Sequence, residues 1–299
     1  MKKAAVIGNP IEHSKSPLIH NYWLKELEIE GSYEAIKADN EEDFENVVDR
    51  LIEKEYCGFN ITVPYKLRAH ELADKKIDYP NCPYHENLMA SNTIKIDKKG
   101  ELHSYNTDYF GFAASLIQNN VFINNIKNIV ILGAGGAARS IFFGLLSEEL
   151  KPNTTITLLN RSETRAKNLI EDLQIDGNLK DKDLEIQYRP LTDFDRSKKD
   201  CDLLINTTTL GMEGGDENLI IDLNNSKKNM LVYDIIYNPI ETPLLKTAKD
   251  LGLKRLNGLS MLINQAAAAF EIIYGEEQGT ISPKSINKLH KIIEEDLRK

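Results

Sequence analysis

A run of small residues between a strand pattern and a helix pattern is the most specific chemical feature of this sequence. In the segment IVILGAGGAA, Gly133, Gly135 and Ala138 match the spacing G-x-G-x-x-G/A. The first glycine permits a tight turn, the second lets backbone approach a pyrophosphate, and the third position allows close helix packing. The alternative is a glycine-rich turn without a ligand, but the strand–turn–helix context favours a dinucleotide site. Its expected backbone contacts are Gly133, Ala134, Gly135, Gly136 and Ala137.

The end of the next strand pattern indicates which dinucleotide binds. An NAD site normally carries Asp or Glu there for the ribose 2′-hydroxyl. Here the strand TITLLN ends in Asn160, followed by Arg161 and Ser162, with Arg165 one helical turn later. Two guanidinium groups and a hydroxyl can bind a 2′-phosphate. Because arginines are unfavourable beside the positive end of a helix dipole, their position favours a bound anion over two solvated side chains. We therefore predict NADP.

Two further segments carry polar groups that could handle a proton or a hydroxyl. In GFNITVPYK, Asn60 and Thr62 alternate with apolar residues and share one side of a strand, and Lys66 follows a proline break. In SYNTD, Asp108 precedes a helix pattern. On the residues alone, Lys66 has the simpler interpretation of a solvated helix lysine, which is the more common case for an arbitrary lysine. Asp108 could simply be the N-cap of the helix that follows. Asn92 is equally an ordinary residue at the start of a hairpin.

The elements that must position these groups alternate between strand and helix. Strand patterns at KAAVIG, SYEAIKA and FNITV are separated by helix patterns, and the alternation restarts at NIVILG. This order predicts an α/β protein built of parallel βαβ units, with a hairpin around Gly100. We expect an N-terminal α/β domain over residues 1–120 and a Rossmann-type doubly wound domain over 121–281. The boundary falls in the Asn-rich segment QNNVFINNIKN, and an amphipathic helix at 282–299 packs back on a domain.

Composition excludes several classes of protein. The 299 residues, 41% hydrophobic and 28% charged, are typical of a globular chain of about two domains. A net charge of −9 gives no basic surface for nucleic acid. Three separated cysteines and six histidines without a ligand cluster predict neither disulfides nor a metal site. We find no membrane span and no signal-peptide core, so we expect a cytoplasmic protein.

A series of longer segments resembles the shikimate dehydrogenase family. They are VIGNPIEHSKSPLIHN, GFNITVPYK, SNTI, NTD, GAGGAARS, NRSETRA, NTTTLGM, YDIIYNPIETPLL and NGLSMLINQAAAAFE, in the order of that family and across nearly the whole chain. The resemblance implies an N-terminal substrate domain, a C-terminal NADP-binding domain and a last helix that returns to the first domain. It also implies the reversible reduction of 3-dehydroshikimate to shikimate with NADPH, a step of aromatic amino-acid biosynthesis through chorismate.

Carried over residue by residue, the resemblance implies roles for individual side chains. Lys66 and Asp108 match the catalytic pair, in which the lysine gives a proton to the oxygen that gains charge. Ser14 and Ser16 match the serines that hold the substrate carboxylate. The other implied substrate contacts are Asn60, Thr62, Asn92, Tyr237 and Gln265. The other implied cofactor contacts are Thr207, Ile235, Gly258 and Met261.

The sequence departs from that family pattern in two places. The usual small apolar run G-A-V-N-T is replaced by residues 88–93, LMASNT, and Tyr109 follows the N-T-D motif where the family has glycine. Because of both changes, the sequence does not determine which substituents the ring of the substrate carries. Ser16 favours shikimate over quinate, since quinate-preferring relatives often have threonine there.

Three alternatives therefore accompany the main interpretation. A paralogue could act on quinate or a related ring. A non-catalytic NADP-binding sensor would need neither Lys66 nor Asp108. A methylenetetrahydrofolate dehydrogenase has a similar domain plan, but the paired serines of HSKSP fit a small carboxylate. The expected partners are small molecules, and both a monomer and a homodimer agree with the sequence.

Overall fold

The computed structural model forms two compact units. The residues that it describes are 1–78, 88–146, 150–174, 183–212 and 221–298. Unit 1 comprises Met1–Phe112 and Ile263–Ile293, and unit 2 comprises Ala113–Leu262 and Glu294–Lys299. No helix within the described ranges is both long and apolar enough to cross a membrane.

Unit 1 is built on a mixed six-stranded sheet with the order β2-β1-β3-β5-β6-β4. Its strands are β1 (Lys2–Gly8), β2 (Gly31–Lys37), β3 (Gly58–Ile61), β4 (Lys75–Lys76), β5 (Thr93–Ile96) and β6 (Leu102–Tyr105). β1 pairs in parallel with β2 and β3, whereas β5 is antiparallel to β3 and β6. The predicted hairpin around Gly100 is thus confirmed as β5–β6. The helices along this part of the chain are α1 (Ser16–Glu26), α2 (Glu41–Glu53), α3 (Lys66–Leu72) and α4 (Asp108–Gln118).

Local sequence accounts for the helices of unit 1. In α2 the Asn40 side chain accepts a hydrogen bond from the backbone of Asp43, and three acidic residues occupy the first turn, where they complement the helix dipole. Phe44, Val47, Val48 and Leu51 form its buried face against the sheet. In α1 a proline lies in the first turn, where a missing N–H costs nothing.

Unit 2 has a fully parallel six-stranded sheet with the order β12-β11-β10-β7-β8-β9. Its strands are β7 (Asn128–Leu132), β8 (Thr154–Asn160), β9 (Leu184–Pro190), β10 (Leu203–Asn206), β11 (Leu231–Asp234) and β12 (Lys254–Leu256). Counted from β7, this is the doubly wound order 3-2-1-4-5-6 of a dinucleotide-binding domain. Its helices are α5 (Gly136–Leu146), α6 (Glu163–Gln174), α7 (Phe194–Ser197) and α8 (Pro243–Asp250).

The two units divide the chain differently from the predicted domain bounds. The first division falls after Phe112, inside α4, whereas the sequence pattern predicts it at residue 120. Most of α9 (Leu259–Tyr274) and of α10 (Pro283–Leu297) belongs to unit 1. The reason is packing: Phe270 of α9 lies 5.8 Å from the Trp23 ring, whose indole N–H donates to Ser285 of α10. Helical periodicity shows that a face is buried, but it does not identify the sheet that the face covers.

Candidate functional site

Lys66 and Asp108 form an ion pair in unit 1. Each is the first residue of its helix, α3 or α4, and the ammonium of Lys66 donates to one oxygen of the Asp108 carboxylate. Only 15% of the lysine side chain and 9% of the aspartate side chain are exposed. Asp108 gains from the positive end of the helix dipole, whereas Lys66 is disfavoured there and is compensated by its partner. This pairing contradicts both alternatives, a solvated lysine and an aspartate that serves only as an N-cap.

The ends of these helices are anchored by their neighbours in sequence. Tyr65 precedes Lys66, and its buried ring stacks on Phe44 while its hydroxyl donates to the carbonyl of Ala38 at 2.7 Å. Asn106 precedes α4, and its side chain accepts from the Asp108 N–H and donates to the carbonyl of Ala90. The backbone that carries each charged residue is therefore held in place by its neighbours.

Asn92 connects this pair to two further residues. Its side-chain amide donates to the second oxygen of Asp108 at 2.9 Å, to Thr107 Oγ1 at 2.9 Å and to Gln265 Oε1 at 3.1 Å. Its oxygen accepts from the backbone N–H of Thr107 at 2.7 Å. The structure thus brings together four predicted site residues, which are Lys66, Asp108, Asn92 and Gln265.

Thr107 and Thr93 are members of this polar cluster that sequence reasoning missed. Both are fully buried, and the Thr93 hydroxyl donates to Asn92 Oδ1 at 3.1 Å. Thr107 belongs to the N-T-D motif and Thr93 directly follows Asn92. Their positions beside predicted site residues could have identified them from the sequence. Their hydroxyl groups complete the hydrogen bonding of Asn92, which as a buried amide must be satisfied.

Asn60 was predicted to bind substrate, but its side chain is engaged inside the protein. Its oxygen accepts from the Tyr33 hydroxyl at 2.6 Å, and its amide donates to the carbonyl of Asn92 and to Thr93 Oγ1. Only one lone pair of its oxygen remains for a ligand. Thr62 follows β3 and is partly exposed, so its hydroxyl is more accessible than the Asn60 amide.

Ser14 and Ser16 lie at the start of α1. The Ser14 hydroxyl accepts from the backbone N–H of Ser16 at 3.3 Å, so it already bonds the first residue of the helix. Ser16 is buried and Ser14 partly exposed. Two hydroxyl groups beside a helix N-terminus suit one small anion.

The two departures from the family pattern have structural partners. The hydroxyl of Ser91 is hydrogen-bonded to Nδ1 of His70 at 3.2 Å, and its backbone N–H donates to the carbonyl of Lys66. Both bonds tie α3 to the residue before Asn92. Tyr109 is buried in a small apolar cluster with Ala268 of α9, so it packs on the helix that carries Gln265. The sequence alone leaves open whether this tyrosine packs there or narrows the site.

In unit 2 the predicted glycine turn has the geometry that its motif requires. Gly133 has a φ of +103°, and a Cβ there would lie 2.7 Å from Thr207 Oγ1. Gly135 is exposed, and a Cβ there would meet nothing within 4 Å. α5 begins at Gly136, so the N–H groups of its first turn, which have no partner within the helix, directly follow this turn in the chain. A pyrophosphate fits this turn.

The side chains after β8 also agree with a phosphate site. Arg161 and Arg165 are exposed, and neither is ion-paired with an acid among the described residues. The Ser162 hydroxyl accepts from the N–H of Arg165 as the N-cap of α6. Glu163 pairs with Lys167 at 2.7 Å, so this acid does not take the position of a ribose-binding carboxylate. Asn160 donates to the carbonyl of Ser162 and fixes the turn.

The loop after β11 rests on a buried carboxylate. Asp234 accepts from Asn206, from Thr242 and from the N–H of Ile236, and burial raises its pKa to about 6. The loop then passes so close to Gly258 that a Cβ there would lie 1.8 Å from the carbonyl oxygen of Ile235.

The remaining predicted contacts of unit 2 differ in exposure. Thr207 donates to the carbonyl of Leu132 at 2.6 Å and so supports the glycine turn. Met261 is buried, and Ile235 and Tyr237 are partly buried. Nothing in their geometry assigns a ligand, so these contacts stay predictions.

One group of potential metal ligands occurs in the described part of the chain. Asp97, Glu101 and His103 of the β5–β6 hairpin place ligand atoms within 4.8 Å of one another. The ammonium of Lys75 pairs with Glu101 and lies 3.5 Å from His103 Nε2. A cation of the protein itself therefore compensates this acidic group.

Known proteins resemble this chain over nearly its whole length. Residues 6–82 match a family model described as the shikimate dehydrogenase substrate binding domain. A protein of Methanococcus vannielii named shikimate dehydrogenase (NADP(+)) is 39% identical over 92% of each chain. A shikimate dehydrogenase solved in complex with NADP+ has a TM-score of 0.82 at 31% identity and covers 100% of this chain and 96% of its own. A Thermus thermophilus relative, solved with NADP(H) and shikimate, has a TM-score of 0.78 at 28% identity and covers 98% of this chain and 99% of its own.

Proposed function

Since the chain belongs to the shikimate dehydrogenase family, we propose that it is an NADP-dependent shikimate dehydrogenase. It catalyses the reversible reduction of 3-dehydroshikimate to shikimate, a step toward chorismate and the aromatic amino acids. The observation that carries the proposal is the buried Lys66–Asp108 pair hydrogen-bonded to Asn92. A protein that only senses a nucleotide needs no such pair in its other unit.

In this proposal Lys66 is the proton donor of the reduction. When bound, NADPH would supply the hydride for the ketone carbon. The ketone oxygen then gains negative charge, which the Lys66 ammonium stabilises and neutralises by transferring a proton. In the oxidative direction the neutral amine takes the proton back from the hydroxyl. Asp108 holds Nζ in place and stabilises the ammonium form, and Asn92 holds Asp108 from its other oxygen.

The substrate contacts follow from the hydrogen-bonding capacity of the residues in unit 1. Ser14, Ser16 and the first turn of α1 bind the carboxylate as a neutral cradle. The amide of Gln265 and the hydroxyl of Thr62 both donate and accept, which suits ring hydroxyl groups. Asn60 contributes through its remaining lone pair and by orienting Asn92. Tyr237 is a further proposed substrate contact.

The residues of unit 2 fit NADP. Gly133, Ala134, Gly135, Gly136 and Ala137 would hold the pyrophosphate, since the turn is open at Gly135. The 2′-phosphate binds Arg161 and Arg165, whose charges lack an acidic partner in the described ranges, together with Ser162 and Asn160. Thr207, Ile235, Gly258 and Met261 form the proposed remainder of the cofactor site. The free thiols of Cys57 and Cys201 fit a reducing compartment, and we place the enzyme in the cytoplasm.

A comparison of two acids tests the proposed substrate. We expect the purified protein to reduce NADP+ with shikimate and to act much more slowly on quinate. Quinate has an extra hydroxyl on the carbon that bears the carboxylate, and this hydroxyl crowds the Ser14–Ser16 cradle. kcat/KM is measured for both acids with NADP+ and with NAD+ under the same conditions. A preference for quinate would favour the paralogue, and inactivity with both acids would contradict the proposed reaction.

A further inference from the structure

We infer that Tyr33 is a positioning residue for the Lys66–Asp108 pair and acts on it through a chain of hydrogen bonds that begins at Asn60. The inference rests on the proposed function, because its measure is the oxidation of shikimate. Tyr33 lies in β2, two strands away from β3 in the sheet and far from the charged pair in sequence.

The hydrogen bonds of this chain all run in one direction. The Tyr33 hydroxyl donates to Asn60 Oδ1 at 2.6 Å, and the Asn60 amide donates to Thr93 Oγ1 at 2.9 Å. Thr93 donates to Asn92 Oδ1 at 3.1 Å, and the Asn92 amide donates to Asp108 at 2.9 Å. Hydrogen bonds that follow one another as donor and acceptor polarise each other and strengthen the whole chain. The chain ends on the carboxylate that holds Lys66.

The first member of the chain decides the orientation of the second. A phenol at this distance donates to an oxygen, so it holds the Asn60 oxygen on the side of Tyr33. The Asn60 amide is then directed at its two acceptors, Thr93 Oγ1 and the carbonyl of Asn92 at 3.1 Å. Without the hydroxyl, a buried oxygen loses its donor, which is costly, and the amide is free to turn over. A reversed amide would direct an oxygen at the Asn92 carbonyl and break the chain at that point.

Tyr33 is itself held by its backbone and by its ring. Its backbone N–H and carbonyl are bound on both sides by the Asn21 side chain of α1, at 3.0 and 2.8 Å. Its ring is stacked on His20 with 4.0 Å between centroids and 15° between planes. Burial lowers the pKa of His20 to about 3, so the ring that contacts Tyr33 is neutral. A rigid, buried donor is the property that a positioning residue needs.

The test removes one oxygen atom. We expect Tyr33→Phe to lower kcat for shikimate oxidation about tenfold and to raise the KM for shikimate, with an unchanged dissociation constant for NADP+. The matched control is Tyr56→Phe, because the Tyr56 hydroxyl also bonds a side chain of β2, Glu34, but at the surface. The control should keep wild-type kcat and KM.

A second variant keeps the inference testable if Tyr33→Phe fails to fold. Thr93→Val removes the middle hydroxyl of the chain at constant shape and should give the same loss of kcat. In the double variant the two losses should not add, since both break one chain. Wild-type kcat and KM in folded Tyr33→Phe, even with a lower melting temperature, would overturn the inference and leave the proposed function intact. An inactive wild-type protein would overturn both.

Discussion

The two units hold their functional charges in opposite ways. Unit 1 buries Lys66 and Asp108, and each charge is matched by hydrogen bonds before any substrate arrives. Unit 2 leaves Arg161 and Arg165 exposed. The difference follows from the functions proposed for the two pairs of residues. A proton must pass between atoms at fixed positions, so its carriers need preorganisation. A guanidinium that binds a phosphate needs access, and it can reach the anion by rotating its own side chain.

Two buried groups, one in each unit, respond to protons in opposite directions. Burial lowers the pKa of His20 in unit 1 to about 3, so the folded form resists protonation. Burial raises the pKa of Asp234 in unit 2 to about 6, so the folded form favours protonation. Acidification from neutral pH therefore removes stability at His20 and adds stability at Asp234.

The largest effect should come from the buried pair. We expect Lys66→Ala to lower kcat by roughly 10²–10⁴, the usual contribution of a positioned acid–base group. Asp108→Asn should lower kcat as well, because the lysine loses its charged partner. Binding of NADPH, measured by fluorescence titration, should stay unchanged in both variants. Near-normal turnover of Lys66→Ala would show that the proton donor has been assigned wrongly.

A smaller effect is expected at the exposed arginines. Arg161→Ala should weaken NADPH binding by about 1.5–3 kcal/mol, the range for hydrogen bonds to charged groups, and should leave NADH binding nearly unchanged. Lys167→Ala is the matched control, because that cation lies on α6, the helix that begins just after Arg161, and pairs with Glu163. Equal losses for both nucleotides would mean that Arg161 does not recognise the 2′-phosphate.

The smallest effect concerns stability against pH. Above pH 6.5, the ordinary pKa of histidine, His20 is neutral in both the folded and unfolded states. Below that value the unfolded chain takes up a proton that the folded chain refuses until about pH 3. The free energy of unfolding should therefore fall by about 1 kcal/mol between pH 7.5 and 5.5 because of this group.

Denaturant unfolding of His20→Phe at both pH values measures that contribution. The variant should lose less stability on acidification than the wild type. Asp234→Asn is the opposing control: it removes a group whose stabilisation is lost as pH rises through about 6, so it should lose more stability on acidification. Parallel pH profiles for all three proteins would contradict the opposite roles of the two residues.

Sequence patterns predicted the local features of both units. The glycine turn at Gly133, the start of α1 at Ser16 and the β5–β6 hairpin depend on residues next to one another in the chain. Their geometry depends on the φ values that the residues allow, on helix-capping residues and on the alternation of polar and apolar side chains. A short stretch of sequence is therefore enough to predict them. The basic residues after β8 belong to the same class, since the strand end and the helix start are adjacent.

What the sequence by itself determined is therefore the alternation of elements, the dinucleotide turn and, by resemblance, the identity of the site residues. Only the tertiary structure decided that Asn60 turns inward, that Thr107 and Thr93 complete the cluster, and that most of α9 belongs to unit 1. The first two facts depend on the pairing of β3 with β5 and on the side chains that meet across the sheet. The third depends on the packing of Phe270 against Trp23. Hydrogen-bond partners far apart in the chain are chosen by the fold as a whole, because every buried polar group there must find one.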